Sequence, residues 1–94
     1  MAHHQLDPII HAPLRLAIIS FLVSEGQSDF NELKEVTEST SGNLSVQLKK
    51  MQKAGYIDIK KGFKNNYQHT SVEITPTGLD AFEHYVTTIN QFLK

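Results

Sequence analysis

The chain has 94 residues, of which 39% are hydrophobic and 20% charged, and a formal net charge of −1; these values are typical of one ordinary globular domain. It contains no cysteine, which excludes disulfide bonds, thiolate metal sites and a catalytic cysteine. No apolar run approaches the ~20 residues of a membrane span, and the N-terminus lacks a secretory pattern, so we expect a cytoplasmic protein with no membrane partner.

The first helix is predicted to begin near the N-terminus and to be buried on two sides. Asp7 followed by Pro8 is typical of a helix start, and Pro13 restarts or kinks that helix because proline has no amide hydrogen. Two apolar stripes at helical spacing follow, and Gly26 ends the helix. One stripe comprises Leu14, Ala17, Ile18, Phe21 and Leu22, and the other Leu16, Ile19 and Val23.

A helix-turn-helix is predicted over about residues 31–54. Asn31 is the expected cap of a short second helix over 32–37, and Asp29-Phe30 can add a brief strand before it. A third helix follows a turn rich in serine and threonine, and it stops at Gly55. Its inner face carries Leu44, Leu48 and Met51. Two helices joined by a short turn, the second closed by glycine, match a helix-turn-helix.

Two strands and a long last helix are predicted over the rest of the chain. Residues 56–59 and 70–74 alternate as strands do, and the polar stretch 62–68 is the loop between them. Thr75-Pro76 then opens a helix over about 76–93. This order predicts an α+β, mainly α, winged helix-turn-helix with three helices and a two-stranded wing over about 56–74. The whole chain, 1–94, is expected to be one such domain with an N-terminal extension and a C-terminal dimerisation helix.

Positive charge is concentrated in residues 39–72. This segment contains six lysines and one acid, Asp58, whereas the remaining residues contain three basic and nine acidic side chains. A nearly neutral protein that gathers its positive charge in one stretch is suited to a polyanionic partner on one side. Because the segment is a helix followed by a two-stranded ribbon, we expect double-stranded DNA.

Four short stretches share their order and spacing with one group of known proteins. They are 7–11, 43–51, 54–57 and 74–82, which read DPIIH, NLSVQLKKM, AGYI and ITPTGLDAF. Over nearly its whole length the chain resembles the small single-domain winged-helix regulators related to the MarR and ArsR families. The resemblance implies a transcription factor that dimerises and reads DNA with its third helix and wing. Relatives usually carry arginines at the wing tip, where this chain has KNNY at 64–67, so asparagine would have to read the minor groove.

The predicted DNA-binding residues lie on the outer face of the third helix and on the wing. If Leu44, Leu48 and Met51 point inward, helical geometry turns Val46 and the lysines outward. Asn43 could pair with adenine, Val46 could contact a thymine methyl, and Ser41 could accept a phosphate at the helix start. The alternative is a solvated lysine face and an ordinary hairpin loop. The full set is Ser41, Asn43, Ser45, Val46, Lys49, Lys50, Lys53, Lys60, Lys61, Lys64, Asn65 and Asn66.

An apolar seam on the last helix predicts either a homodimer interface or packing within the domain. Its members step by 3, 4, 3 and 4 residues, and the second stripe of the first helix also needs a partner. We favour a homodimer with recognition helices about 34 Å apart on a palindromic operator. The predicted interface comprises Leu16, Ile19, Val23, Leu79, Phe82, Val86, Ile89 and Leu93.

No catalytic, metal or cofactor site is predicted. The chain has no glycine-rich phosphate loop and no nucleophile at a recognisable spacing from a histidine and an acid, so we do not expect an enzyme. His3, His4, His11, His69 and His84 include no pair at the i, i+4 spacing of a helical zinc site. A small-molecule effector is unknown; at a dimer seam it would meet Phe82, Tyr85 and Phe92.

Two other functions are consistent with the pattern. Winged helices also serve as protein-interaction adaptors, in which case the acidic remainder of the chain and the C-terminal seam would be the working surface. RNA binding is less favoured, because only Tyr56, Phe63 and Tyr67 in the basic segment could stack on bases. An adaptor has no need of lysines on both the third helix and the wing, which favours DNA.

Overall fold

The computed structural model describes residues 5–93, which form four helices and a three-stranded antiparallel sheet. The elements in chain order are α1 (Pro13–Glu25), β1 (Gln27–Asp29), α2 (Phe30–Thr37), α3 (Ser41–Lys53), β2 (Ile57–Lys64), β3 (Tyr67–Ile74) and α4 (Pro76–Phe92). This arrangement confirms the predicted winged helix, mainly helical with a β-hairpin wing made of β2 and β3. None of the described helices is long and apolar enough to cross a membrane.

The sheet has the order β1-β3-β2, so the wing gains a third strand at its base. The brief strand expected at Asp29-Phe30 lies slightly earlier, at 27–29, and pairs with β3 from Gln27 opposite Glu73 to Asp29 opposite Ser71. Phe30 belongs to α2 instead. Ser28 and Val72, opposite each other in this pair, are both buried, which ties the sheet to the core.

The predicted cap of α2 at Asn31, with the helix over 32–37, was wrong, because Asp29 caps a helix that begins at Phe30. The Asp29 side chain accepts the backbone amide of Glu32 at 2.7 Å from an extended backbone conformation. The Ser28 hydroxyl donates to the Glu32 carboxylate at 2.5 Å. An aspartate leaving a strand already has the extended geometry that an N-cap requires, so the helix begins two residues before the predicted position.

The wing occupies the predicted stretch of the chain, but its strands are longer and its loop shorter than the sequence predicted. Strand pairing continues without interruption from Ile57 opposite Ile74 to Lys64 opposite Tyr67, through residues expected to form a loop. The connection is the dipeptide Asn65-Asn66, both with positive φ (52° and 67°), as two-residue hairpin turns of type I′ require. Asparagine tolerates this conformation better than most residues, which gives the two asparagines a structural role at the tip.

Local chemistry sets the end of α3 as predicted. Gly55 has a φ of 83°, and its amide donates to the carbonyl of Gln52 at 2.9 Å. The Tyr56 amide donates to the carbonyl of Met51 at 3.0 Å, which completes a Schellman motif. A side chain at Gly55 would meet no atom, so the glycine is required for its backbone conformation rather than for space.

The N-terminal turn, residues 7–12, replaces the helix start predicted at Asp7. The Asp7 carboxylate accepts the amide of Ile9 at 2.8 Å, and the His11 amide donates to the Asp7 carbonyl at 2.7 Å. The regular helix begins only at Pro13, because a proline there cannot continue the hydrogen bonding of the turn before it.

Helix α1 is central to the fold. It packs against α2, α3, α4 and the sheet, so most of both apolar stripes is covered within the chain, and Ala17 is the member left exposed. Ile18, Ile19 and Leu22 are fully buried, and Leu16 and Val23 are half-buried against the same core. Ile19 was predicted to contact a second subunit; it has no exposed surface with which to do so and is a core residue. The prediction underestimated how much of α1 the last helix and the sheet cover.

Candidate nucleic-acid interface

The outer face of α3 presents the side chains that helical geometry predicted. Leu44, Leu48 and Met51 are buried against the core. On the opposite side Val46 has 51% of its surface exposed, and three exposed lysines surround it, Lys49, Lys50 and Lys53. The helix therefore offers a solvent-facing surface that combines positive charge with one apolar contact.

The N-terminal end of α3 is held by Thr40, a residue that the sequence analysis did not single out. Its hydroxyl accepts the backbone amide of Asn43 at 3.1 Å. Ser41 is the first helical residue, and both it and Asn43 are exposed. The run of serines and threonines before the helix contained several possible caps, and only the backbone conformation distinguishes them.

A groove separates α3 from the wing. It measures about 260 Å³, and its walls include Ser45 and Lys49 from α3 and Lys61, Gln68 and Thr70 from the wing. Ser45 is half-buried in this groove rather than on the crest of the helix. Lys49 and Lys61 line this groove from its two sides, so the positively charged surface of α3 continues onto the wing.

Charge is distributed over both faces of the wing. Successive residues of a strand point to opposite faces, so Lys60 and Lys64 lie on one face of the hairpin and Lys61 on the other. All three side chains are exposed. Together with the lysines of α3 they form what we call the basic face: Lys49, Lys50, Lys53, Lys60, Lys61 and Lys64. Asp58 is the only acidic residue within residues 39–72, and it lies at the base of the wing opposite Glu73.

Two aromatic side chains stand out near the wing tip. Phe63 is 81% exposed and Tyr67 is 76% exposed, and both adjoin lysines of the basic face. From the sequence they were predicted only as candidates for stacking on RNA bases. The sequence held a signal for Phe63, because it falls on the same face of the strand as Ile57 and Ile59, although Lys61 interrupts the apolar alternation between them. Phe63 lies opposite Gln68 and Tyr67 opposite Lys64, so the two rings are on opposite faces of the hairpin and each face of the wing carries one exposed aromatic side chain.

The N-terminal turn braces α3 near its C-terminal end. The Tyr56 hydroxyl donates a short hydrogen bond to the Asp7 carboxylate, whose other oxygen caps the turn. Burial, the hydrogen bond to Asp7 and the negative charge of Asp7 raise the pKa of Tyr56 to about 12. This contact connects the residue that follows α3 to a segment almost fifty positions earlier in the chain.

Arg15 braces α3 near its middle. The guanidinium group donates from Nη1 to Oε1 of Gln47 at 2.5 Å, from Nε to the carbonyl of Ile9 at 2.5 Å and from Nη2 to the carbonyl of Pro8 at 3.2 Å. Gln47 in turn donates from Nε2 to Oδ1 of Asn43 at 3.0 Å. The orientation of the recognition helix is thus linked to α1 and to the N-terminal turn by side-chain hydrogen bonds.

The residues predicted for a dimer interface fall into two groups. Apart from Ile19, which is core, Leu16, Val23, Phe82 and Ile89 are half-buried against their own domain. The exposed members share one edge of α4 at seven-residue spacing: Leu79 and Val86, each 38% exposed, and Leu93 at 78%. The centre of the buried face lies instead at Gly78, Tyr85 and Thr88.

No metal-binding arrangement of three or more histidine, aspartate or glutamate side chains is found in residues 5–93. His11 interacts through Nδ1 with the Tyr85 hydroxyl at 2.9 Å, and that tyrosine is only 4% exposed. Tyr85 is therefore part of the core. The conjecture from the sequence, that Tyr85 lines a surface crevice for an effector, was wrong. His3 and His4 lie outside the described residues.

Comparison with known sequences finds similar proteins. A family model for the winged helix DNA-binding domain matches residues 14–93. An uncharacterised protein of Methanocaldococcus jannaschii is 34% identical over 86 residues, which cover 92% of this chain and 94% of that protein.

Solved structures share the fold. A transcriptional regulator homologue from Pyrococcus horikoshii OT3 superposes with a TM-score of 0.85 at 25% identity, covering 90% of this chain and 84% of that one. A protein of Enterococcus faecalis V583 assigned to the MarR family gives 0.76 at 19% identity, covering 88% and 74%. An ArsR family regulator gives 0.60 at 15%, covering 90% and 82%. The predicted resemblance to regulators of these families is confirmed at the level of the fold.

Proposed function

The chain belongs to the winged helix DNA-binding domain family, and on that premise we propose that it is a sequence-specific, double-stranded DNA-binding regulator of transcription. We further propose that it acts as a homodimeric repressor that occupies a palindromic operator. The observation that carries the proposal is the basic face, in which six exposed lysines lie on α3 and on the adjoining wing, and two of them, Lys49 and Lys61, line the groove between these elements. Nine of the ten acidic residues of the chain lie outside residues 39–72, the segment that contains these lysines.

In the proposed complex α3 lies in the major groove. The N-terminal residues of a recognition helix approach base edges and later residues approach phosphates, which assigns base contacts to Asn43 and Val46. Lys49, Lys50 and Lys53 would hold phosphates and supply affinity with little sequence preference. Ser41, at the helix start, would contact a phosphate. Ser45, which faces the groove beside the wing, would read a base only where DNA enters that groove.

The wing would lie along the DNA backbone and reach the adjoining minor groove. Lys60, Lys61 and Lys64 would contact phosphates on either side of the hairpin. The tip residues Asn65 and Asn66 have exposed amide groups that can donate to minor-groove acceptors. Their positive φ angles already account for asparagine at these positions, so a DNA contact by them is an additional role.

The proposed homodimer pairs the exposed edge of α4 with the same edge of a second copy. Leu79, Val86 and Leu93 recur at seven-residue intervals, as in a two-helix seam, and half-buried Phe82 and Ile89 border them. A two-fold axis through this seam would place the two α3 helices one DNA turn apart, about 34 Å, which is the reason for expecting a palindromic operator.

A charge-reversal experiment tests the DNA-binding proposal. We expect the double variant Lys49→Glu/Lys50→Glu to lose binding to random-sequence duplex DNA at low salt, because each dimer would lose about four phosphate contacts and present four negative charges. The matched control is Lys34→Glu, an exposed lysine of α2 that lies beside Glu35 and Glu38. Far-UV circular dichroism should show both variants folded. Retained affinity in the folded double variant would refute the assignment.

A further inference from the structure

A directional chain of hydrogen bonds ends at the exposed start of α3. It runs from Arg15 on α1 to Gln47 and from Gln47 to Asn43, one turn earlier on the same helix. At its origin Arg15 is held by two backbone carbonyls of the N-terminal turn. At its end the backbone of Asn43 is fixed by the Thr40 cap. Both ends of the chain are therefore anchored to rigid structure.

The direction of this chain follows from the chemistry of its first member. A guanidinium group has only hydrogen-bond donors and stays protonated, so Gln47 must present its oxygen to Arg15. The amide nitrogen of Gln47 then faces Asn43, and because that nitrogen only donates, Asn43 must present its oxygen to it. The three side chains can satisfy one another in one order only.

What remains at the surface is the Asn43 nitrogen, Nδ2, with its two N–H donors. The paired contact of asparagine with adenine requires the amide oxygen to accept from adenine N6 while the nitrogen donates to N7. Here the oxygen is turned along the helix toward Gln47. Guanine offers two acceptors side by side in the major groove, O6 and N7, and so suits a group that can only donate.

We infer that Asn43 is a specificity-determining residue that selects guanine, and that Gln47 and Arg15 are positioning residues that set the orientation of its amide. This inference rests on the proposed function, in which α3 enters the major groove of duplex DNA. It replaces the adenine contact suggested by the residue type alone. The preference for guanine thus depends on Arg15 of α1, which lies behind the DNA-binding surface. Gln47, which connects Arg15 to Asn43, is half-buried.

The direction of the hydrogen bond between residues 47 and 43 can be reversed by replacing the amide group of Gln47 with a carboxylate. In Gln47→Glu the carboxylate accepts from Arg15 and also from the Asn43 nitrogen, which turns the Asn43 oxygen outward. We expect that selection from a randomised duplex pool gives guanine at one position per half-site for the wild type. For Gln47→Glu the same position should change to adenine or cytosine, whose N6 and N4 amino groups donate.

The size of the effect is measurable on the selected duplex. Replacing the contacted guanine by 7-deazaguanine, which lacks the N7 acceptor, should weaken wild-type binding by about tenfold, within the discrimination that one base contact provides. Asn43→Ala should bind the two duplexes equally. The matched control for the added charge is Gln52→Glu, an exposed glutamine of α3 that lies outside the hydrogen-bond chain; it should lower affinity without changing the selected base.

The outcomes separate the inference from the proposed function. If the wild type enriches no sequence and binds no duplex, the proposed function fails and this inference with it. If the wild type selects an operator and Gln47→Glu selects the same base at every position, DNA binding stands and the polarity inference is overturned. Should Gln47→Glu not fold, Asn43→Asp provides the test, because a carboxylate there has no donor; continued selection of guanine by that variant would also overturn the inference.

Discussion

Replacing Gly78 by alanine should destabilise the protein, because there is no room for a side chain where α4 begins. A Cβ atom at this position would lie 2.2 Å from the carbonyl oxygen of Tyr56 and 3.0 Å from its carbonyl carbon and Cα. Both partners are backbone, so neither can rotate away. Relief of the clash requires the start of α4 to move by about 1 Å from the end of α3, since ordinary packing limits such contacts.

The cost can be approximated from three contributions. Overpacking against rigid backbone typically costs about 1–3 kcal/mol. The movement also weakens the hydrogen bond from the Thr75 amide to the Tyr56 carbonyl, now 3.0 Å, worth about 1 kcal/mol. Alanine returns up to about 1 kcal/mol of helix propensity. We expect a net loss of about 2 kcal/mol in the free energy of unfolding, or roughly 8–16 °C in Tm for a domain of this size.

Denaturant titration followed by far-UV circular dichroism measures this loss, at one fixed protein concentration because the stability of an associating protein depends on concentration. The matched control is Gly42→Ala, also in the first turn of a helix, where a Cβ would meet nothing within 4 Å and the φ is not positive. That variant should be at least as stable as the wild type. A Gly78→Ala protein as stable as Gly42→Ala would refute the packing of α4 against Tyr56.

Two further predictions concern the Asp7–Tyr56 contact and the α4 edge. Because the pKa of Tyr56 is raised from 10.0 to about 12, the folded state holds this proton more tightly than the unfolded state, and the resulting stability is complete below pH 10 and lost as pH rises toward 12. Tyr56→Phe should lower the free energy of unfolding by about 1 kcal/mol at neutral pH, a value discounted for the partial exposure of the pair, and should abolish the loss of stability at alkaline pH. The control Tyr67→Phe, at an exposed tyrosine, should behave as the wild type. Identical pH profiles for Tyr56→Phe and the wild type would contradict the contact. If the proposed α4 seam forms a dimer, the wild type should have the mass of two chains in sedimentation equilibrium and Val86→Glu should be a folded monomer. Val36→Glu, at a valine 48% exposed on α2, should keep the wild-type mass. A wild-type monomer or a dimeric Val86→Glu protein would rule out the proposed seam.

Features controlled by neighbouring residues were predictable from the sequence. The end of α3 follows from Gly55, and the start of α4 follows from Thr75, whose hydroxyl accepts the Gly78 amide at 2.9 Å. Burial of Leu44, Leu48 and Met51 follows from their helical spacing, and this spacing also turned Val46 and the lysines of α3 outward. Each of these depends on a few adjacent side chains and on regular helix geometry.

Features that depend on tertiary contacts were not predictable in this way. The strands of the wing run beyond the core, so their last residues lose the apolar alternation that identifies a strand, and only the backbone of Asn65-Asn66 shows that pairing continues. Ile19 looked available for a partner because the sequence does not show that α4 and the sheet cover α1. The contact of Arg15 with Gln47 joins residues 32 positions apart, and no local pattern indicates it.

The most direct test of the central claim is fluorescence anisotropy of the wild-type protein with random-sequence duplex DNA over a series of salt concentrations. If the basic face of a dimer places six to eight lysines on phosphates, the logarithm of the affinity should fall against the logarithm of salt concentration with a slope of roughly −5 to −7. A slope near zero, or no binding at low salt, would contradict the account and would leave the six lysines as ordinary solvated charge.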